Sequence, residues 1–276
     1  MRFGSHISIR NGYLSAAQHA KKIGARSFQY FPKNPRSLSV KSFDREDARK
    51  CADYCSQNDL LTIAHTPYPT NLVAEQDQIT LVIDSVLNDL EIANECGSIG
   101  VVVHFGVVRD ETDPLEGYKR MIETLNVILS KWEGDSLILL ENNAGKSGPT
   151  GTTIEELVQV RQLTDYPEKI GFCLDTCHVF ASGVWEGDNW FEVEAKGEEL
   201  GYFTHLKAVH LNNSMYPTRS MKDRHANIHN GHIKVEQIKE LLQSTYVKEL
   251  PLVLETPSSN EYTHKDELQY LNNLIQ

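Results

Sequence analysis

The sequence contains no apolar run long enough to cross a membrane, and its N-terminus lacks the apolar core of a secretory signal. Its most apolar stretch, residues 99–108, is short and is interrupted by His104. The five cysteines are an odd number and lack the paired spacing of a disulfide framework. We therefore expect no membrane association and a reducing intracellular compartment, with the cytoplasm first and a nucleus or virion also open.

The chain also lacks an excess of basic residues: 27 lysines and arginines stand against 38 acidic residues, for a formal net charge of −11. This balance argues at first against nucleic acid as a partner, because phosphate binding usually leaves a basic footprint. The basic residues are nevertheless concentrated in two segments. Residues 32–43 carry three of them and no acid, and residues 211–234 carry four against one aspartate, so each segment has a formal charge of +3. Two loops of an acidic chain can therefore still face a polyanion.

No Pro/Ser-rich linker or low-complexity tract divides the chain, and no dinucleotide-binding glycine fingerprint follows its first strand. Short apolar runs instead alternate with helical patterns along the whole sequence. The runs predict strands at Arg2–His6, Ser27–Phe31, Leu61–His65, Gly100–His104, Leu137–Glu141, Gly171–Asp175, Leu206–His210 and Pro251–Glu255. The patterns predict helices near residues 13–25, 44–59, 75–96, 113–133, 153–164, 190–202, 235–248 and 263–276.

Strict alternation of strands and helices implies parallel strands, and the nearly continuous apolar strands suit a sheet that is buried on both faces. Eight such units predict an α/β protein with a closed (β/α)8 TIM barrel that spans residues 1–276 as a single domain. A doubly wound open sheet is the alternative, and the missing glycine fingerprint argues against it.

Potential metal ligands end six consecutive predicted strands, the third to the eighth: His65, His104, Glu141, Asp175, His210 and Glu255. In a barrel of this kind, strand ends meet at the C-terminal rim, where active sites lie. Two further sets add to them: His178 follows Asp175 in a turn, and Asp223 and His225 lie on one side of an extended segment. Five imidazoles and four carboxylates suit zinc or manganese, and nine ligands are about right for three ions.

The segment GFCLDTCH, residues 171–178, leaves three interpretations open: a cysteine metal knuckle, a Cys/His nucleophile, or an Asp/His site with uninvolved sulfurs. Cys173 falls within a predicted strand, and Cys177 lies between two candidate ligands. We therefore interpret both cysteines either as packing residues or as residues that support the neighbouring ligands, and we assign the chemistry to Asp175 and His178.

Sequence blocks along the whole chain resemble those of the endonuclease IV type of apurinic/apyrimidinic (AP) endonucleases. The blocks are GSHIS, FPKNPR, AHTPYPTNL, VVHFG, LENNAGKSG, CLDTCHVFASG, VHLNNS, KDRH and LVLETP. The resemblance implies a (β/α)8 barrel with three zinc ions, with manganese as an alternative at one or more sites. It also implies a monomer that cleaves double-stranded DNA 5′ to an abasic site, leaving a 3′-hydroxyl and a 5′-deoxyribose phosphate.

Carried over residue by residue, the resemblance implies a role for each candidate. One zinc would be held by His65, His104 and Glu141, a second by Glu141, Asp175, His210 and Glu255, and a third by His178, Asp223 and His225. The catalytic residues would be Glu141, Asp175, His178 and Glu255. Arg36 and Tyr68 would enter the duplex near the lesion. Phosphate contacts would come from Lys33, Asn34, Lys146 and Arg224.

The sequence departs from the family pattern in three blocks. A glycine-rich turn is replaced by residues 227–231, and Asn143 and Asn213 replace other residues beside the strand ends. These changes affect loop geometry and the surroundings of the ligands. Two other functions remain open: a metal-dependent sugar isomerase or epimerase on a similar barrel, and a zinc-loaded DNA-binding module without catalysis.

Overall fold

The computed structural model describes residues 1–107, 114–146, 148 and 150–275. Eight parallel strands close into a barrel: β1 (Arg2–His6), β2 (Ser27–Tyr30), β3 (Leu61–His65), β4 (Gly100–His104), β5 (Leu137–Glu141), β6 (Ile170–Asp175), β7 (Leu206–His210) and β10 (Pro251–Leu254). Each strand pairs with its neighbour along the chain, and β1 closes the barrel by pairing with both β2 and β10. All eight lie where the sequence predicted them, with bounds that differ by at most one residue.

Helices surround this barrel and cover its outer face. They are α1 (Tyr13–Lys22), α2 (Arg45–Gln57), α3 (Gln76–Glu95), α4 (Pro114–Lys131), α5 (Ile154–Leu163), α6 (Thr176–Ser182), α7 (Trp190–Glu199), α8 (Tyr202–His205), α9 (Val235–Gln243) and α10 (His264–Leu274). The predicted start of the fourth helix at residue 113 and the predicted end of the last at residue 276 lie outside the described residues.

Several short elements were not predicted from the sequence. They are α6, α8, a 3-10 turn at Pro167–Lys169, and a two-stranded antiparallel sheet of β8 (Asn213–Ser214) and β9 (His225–Ala226). This small sheet stands in the long connection between β7 and α9, so it reshapes the rim without altering the barrel.

Six side chains form a buried layer inside the barrel, one each from β3 to β7 and β10: Ile63, Val102, Leu139, Cys173, Ala208 and Val253. Side chains two residues apart on a strand point to the same face. The residue two positions further along each of these strands is therefore aimed into the barrel mouth. Those six residues are the candidate ligands His65, His104, Glu141, Asp175, His210 and Glu255. A filled apolar layer thus forms the floor beneath the polar cluster.

Candidate metal centre

The nine candidate ligands converge at the C-terminal mouth of the barrel. Their ligand atoms fall into three groups, each within a span of 4.8 Å: His65 with His104 and Glu141; Glu141 with Asp175, His210 and Glu255; and His178 with Asp223 and His225. These are the same three groups that the sequence resemblance implies. A fourth combination of the same kind joins Asp175, Cys177 and His225.

The first group brings two imidazoles to one carboxylate oxygen. Nε2 of His65 lies 3.5 Å, and Nε2 of His104 lies 3.6 Å, from Oε2 of Glu141. Nδ1 of His65 lies 2.8 Å from the carbonyl oxygen of Thr66, so the proton belongs on Nδ1 and the lone pair of Nε2 faces the carboxylate. Oε2 of Glu141 is buried and has no hydrogen-bond partner in the part of the chain that the structure describes. The Nε2 atoms of the two histidines and Oε2 of Glu141 therefore face one another at 3.5–3.6 Å, an arrangement that suits a cation bound between them.

The second group surrounds the ring of His210 with carboxylates. Its Nδ1 lies 2.9 Å from Oε1 of Glu141, 3.2 Å from Oε2 of Glu255 and 3.8 Å from Oδ2 of Asp175. Burial works to raise the pKa of Glu255, but the charges of His210 and other imidazoles outweigh it and lower that pKa to about 2. The negative charges of Glu141 and Glu255, held side by side in this buried cluster, are costly to keep there without cations.

The third group combines a helix start with an extended loop. Asp175 caps α6, its Oδ1 accepting a bond of 2.7 Å from the backbone N–H of His178. Nε2 of His178 and Nε2 of His225 lie 3.3 and 3.4 Å from Oδ1 of Asp223. Both nitrogens are buried and have no hydrogen-bond partner. Nδ1 of His178 is held 2.8 Å from the carbonyl oxygen of Asn142, which leaves Nε2 as the free ligand atom.

Three amide side chains that the sequence reasoning missed hold these ligands in place. Gln29 donates to Oε1 of Glu255 at 2.7 Å and accepts at 2.7 Å from Nε2–H of His210. Asn212 donates to Oδ2 of Asp175 at 2.7 Å and accepts from the backbone N–H of Glu255 at 2.8 Å. Such partners fix the tautomer and direction of metal ligands. Asn142 and Asn212 follow ligand-bearing strands within two residues, which is a sequence signal, whereas Gln29 lies within β2, which carries no candidate ligand.

Asn142 is the third of these amides, and it joins the ends of β5 and β6. Its Oδ1 accepts from the backbone N–H of Asp175 at 2.8 Å, and its Nδ2 donates to the carbonyl oxygen of Asp175 at 3.2 Å. The side chain of Asn142 therefore holds the end of β6 against the end of β5 and fixes the position of Asp175.

Both cysteines of the GFCLDTCH segment are buried. Burial raises the pKa of Cys173 to about 12, and burial likewise raises the pKa of Cys177 far above its usual range. Cys173 packs in the apolar layer inside the barrel. Neutral thiols are poor nucleophiles and poor ligands, so the geometry is consistent with packing roles, although Cys177 lies within reach of Asp175 and His225.

Arg36 and Tyr68 lie on adjacent loops at the rim, and both are exposed. The backbone N–H of Tyr68 donates to the carbonyl oxygen of Pro35 at 2.9 Å, which ties the two loops together. The ring of Phe31 packs against Tyr68 at 5.1 Å and against His65 at 5.5 Å between centroids. An exposed aromatic ring thus stands one residue away from the metal centre.

Three of the four residues expected to contact phosphate are also exposed: Asn34, Lys146 and Arg224. Lys146 lines a cavity of about 120 Å³ together with His104, His178 and Asp223. Lys146 and Arg224 line a second, neighbouring cavity of about 240 Å³ with Asp223. Both cations therefore stand at the edge of the ligand cluster.

Lys33 is the exception, and its expected phosphate contact is wrong. Its side chain is only 2% exposed, and its Nζ lies 3.0 Å from Oδ1 of Asp89, a fully buried carboxylate of α3. The same Nζ donates to the carbonyl oxygen of Ser85 at 2.6 Å. The Nζ of Lys33 therefore binds inside the protein. Lys33 anchors the loop that carries Asn34 and Arg36 and does not face the rim where DNA would bind.

Within the described residues, no helix has both the length and the apolar character that crossing a bilayer requires.

Known proteins resemble this chain over its full length. A protein-family model described as a xylose isomerase-like TIM barrel matches residues 17–274. A protein named probable endonuclease 4 from Symbiobacterium thermophilum is 40% identical over 277 residues, covering 100% of both chains. The crystal structure of endonuclease IV from Thermus thermophilus matches with a TM-score of 0.86 at 28% identity, over 100% of this chain and 99% of that one.

A D-tagatose 3-epimerase-like protein also matches, with a TM-score of 0.71 at 18% identity over 100% of this chain and 97% of that one, which shows the common fold alone. The matches confirm the TIM barrel expected from the alternation of strands and helices. Taken with the full-length identity to an endonuclease 4, they show that the chain belongs to the endonuclease IV family of xylose isomerase-like TIM barrels.

Proposed function

We propose that this protein is an AP endonuclease that hydrolyses the phosphodiester bond 5′ to an abasic site in double-stranded DNA, using three zinc ions and leaving a 3′-hydroxyl and a 5′-deoxyribose phosphate. Manganese is the alternative metal at one or more sites. The observation that carries the proposal is the set of three adjacent ligand groups with buried, unpartnered atoms on Glu141, His178 and His225. Nitrogen and oxygen donors without thiolates suit zinc or manganese.

Two carboxylates connect the three groups. Oε2 of Glu141 faces His65 and His104, while its Oε1 faces His210. Oδ2 of Asp175 lies 3.8 Å from Nδ1 of His210 and 3.5 Å from Nε2 of His225. Shared carboxylates of this kind would hold neighbouring cations close enough to act on one phosphate group.

The chain's own groups would bind and orient, and no side chain would act as the nucleophile. When bound, divalent ions supply the Lewis-acid charge that lowers the pKa of an attacking water and stabilises the phosphoryl group during its transfer. Glu141, Asp175, His178 and Glu255 would be the catalytic residues, because they hold that charge in place. The side chains of Asp223 and His104 are 41% and 39% exposed, so the third and first groups stand nearest to solvent and would meet an incoming strand first.

The rim loops would recognise the lesion. The exposed ring of Tyr68 and the guanidinium of Arg36 would fill the space that the missing base leaves, where flipping the sugar costs least. Asn34, Lys146 and Arg224 would contact phosphates and set the register of the duplex without reading its sequence. These contacts give a damage-specific and sequence-independent enzyme.

The decisive experiment combines elemental analysis with cleavage of a duplex that carries a single abasic site. We expect close to three metal ions per chain, incision on the 5′ side, and loss of both cleavage and metal in chelator. Glu141→Gln should abolish cleavage. Glu249→Gln is the matched control, because that carboxylate is 84% exposed beside Arg2 at the start of β1, at the opposite end of the barrel.

Several outcomes would contradict the proposal. One metal per chain would exclude the three-ion site, and incision on the 3′ side would exclude the proposed reaction. Turnover of a free ketose or aldose by a protein that leaves abasic DNA uncut would favour a sugar isomerase or epimerase. Tight DNA binding without cleavage, in metal-replete protein, would favour a binding module.

A further inference from the structure

A separate cavity of about 730 Å³ opens beside the metal centre, on the outer side of β1 between α1 and α10. Its walls include the loop that follows β1 and the first residues of α10, at the same end of the barrel as the ligand cluster, and it extends from there along α1 to Ile23. The volume falls in the range of small-molecule sites. None of the roles assigned above uses this cavity.

The cavity is lined by cations and histidines without a balancing acid. Arg10, His19, His264 and Lys265 contribute to its wall, and its lining includes no aspartate or glutamate. Arg10 and Lys265 are both exposed, and neither forms an ion pair within the described part of the chain. The nearest acid along the chain, Asp266, is occupied in capping α10 through Thr263. Among the described residues, the lining itself therefore carries the positive charges of Arg10 and Lys265 and no carboxylate.

A second observation comes from its buried end. Ser5 lines the cavity and is fully buried, and its hydroxyl has no hydrogen-bond partner among the described residues. A buried hydroxyl without a partner destabilises the folded protein, and an acceptor placed in the cavity would supply the missing hydrogen bond. A donor at the inner end and two free cations at the mouth match the acceptor oxygens and charge of a phosphate group.

We propose that this cavity is a phosphate-binding site, distinct from the metal centre. The cavity is linked to the ligand cluster, where the phosphate groups of a substrate would bind. His6 lines the cavity, its Nδ1 lies 3.2 Å from Nε2 of Gln29, and Gln29 in turn holds Glu255. Two side chains, His6 and Gln29, thus connect the cavity to the ligand cluster. The phosphate can belong to a DNA strand crossing the rim, which rests on the proposed function, or to a free phosphate compound.

The test removes the charges in pairs. Arg10→Ala/Lys265→Ala is compared with Lys22→Ala/Lys248→Ala, which removes two exposed lysines that do not line the cavity. Affinity for an undamaged duplex is measured by fluorescence anisotropy over a range of salt concentrations. Binding of inorganic phosphate and of a nucleoside monophosphate is measured by calorimetry on the metal-loaded protein.

If the site takes a DNA phosphate, the cavity variant should bind duplex about eightfold more weakly at 0.1 M salt, with the slope of log K against log salt reduced by about 0.9. Cleavage at saturating abasic DNA should be unchanged. If the site takes a free compound, duplex binding should stay as in the wild type, and the variant should lose one binding event for phosphate or nucleotide. Either result supports the site, and unchanged binding of all three probes overturns it.

Ser5→Ala provides a second variant that keeps every charge. We expect Ser5→Ala to weaken binding of the same probe that the Arg10→Ala/Lys265→Ala variant binds less well. The folded state should be at least as stable as in the wild type, because the unpartnered hydroxyl is gone. A lower free energy of unfolding together with unchanged binding of every phosphate probe would contradict the role given to Ser5. Normal cleavage with no effect of any cavity variant would end this inference and leave the proposed function intact. Phosphate binding that depends on Arg10, in a protein that does not cut abasic DNA, would support this inference and contradict the proposed function.

Discussion

The buried pair of Lys33 and Asp89 makes a prediction that can be worked out from the structure. Their side chains are 2% and 0% exposed, and 3.0 Å separates Nζ from Oδ1. Burial raises the pKa of Asp89 to about 7, even though the charge of Lys33 opposes the shift. Replacing Lys33 by methionine keeps most of the side-chain volume and removes the only cation at ion-pair distance from Asp89 among the described residues.

The sign of the effect follows from the raised pKa. A folded-state pKa near 7 lies above the value of about 3.9 in an unfolded chain, so the neutral carboxyl favours folding at low pH and that contribution fades as the pH rises. Below pH 7 the folded carboxyl carries its proton with or without Lys33, and the substitution should cost little.

Above pH 7 the two proteins should diverge. The wild-type carboxylate ionises beside its lysine, whereas the variant has to keep the proton, at a cost of about 1.4 kcal/mol per pH unit. Between pH 7 and pH 9 the free energy of unfolding of Lys33→Met should therefore fall by about 2.7 kcal/mol relative to the wild type. That figure approaches the roughly 3–5 kcal/mol lost when one partner of a buried pair is removed.

Urea unfolding with linear extrapolation, at pH 6 to 9 in chelator, measures this difference. The titrating histidines and carboxylates of the metal centre are common to both proteins and cancel in the comparison. The control is Lys33→Met/Asp89→Asn, which has no carboxyl left to titrate; above pH 7 it should differ from the wild type less than the single variant does, and without the steep slope of the single variant. A constant destabilisation by Lys33→Met from pH 6 to 9, or a double variant as pH-dependent as the single one, would refute the reasoning.

Three further predictions concern the metal centre. Gln29→Leu should weaken metal retention about 10- to 100-fold, because Glu255 and His210 lose their common partner; dialysis against graded chelator followed by elemental analysis measures it. His178→Ala should lose about one equivalent of metal while Cys177→Ala keeps the full content, and equal losses would restore the thiol as a ligand. Burial opposes the charged ring of His178, but Asp175 and neighbouring carboxylates outweigh it and raise its pKa, so protons should compete with metal and retention should fall as the pH is lowered.

Much of the fold was predictable because each unit carries its own signal. A strand such as β4, with the sequence GVVVH, is apolar on both faces, and the helix that follows each strand shows an apolar stripe. The short elements lack such signals. Helix α6 is seven residues long and starts at the cap supplied by Asp175, while β8 and β9 are two residues each and depend on one another for pairing. Tertiary contacts decide such segments, and a single sequence does not reveal them.

The convergence of the candidate ligands was predictable for a similar reason, whereas the inward position of Lys33 was not. Six ligands occupy equivalent positions at strand ends, where the fold itself directs them to one place. Nothing in the loop sequence PKNPR tells that Lys33 turns inward while Asn34 and Arg36 turn outward. The partner that draws it in, Asp89, is a distant residue on α3 whose burial becomes visible only when the helix is packed against the barrel.

The fold cannot by itself decide between a nuclease and a sugar-converting enzyme, because an epimerase-like protein shares it. The third ligand group separates the two possibilities. Moving a proton along a sugar needs a polarised carbonyl and a general base, which one or two ions with a carboxylate can supply. Cleaving a phosphodiester also requires positive charge beside the leaving oxygen. Asp223 and His225, which complete the third ligand group with His178, lie in the connection where β8 pairs with β9. The small sheet that the sequence did not predict is therefore the element on which the proposed reaction most depends.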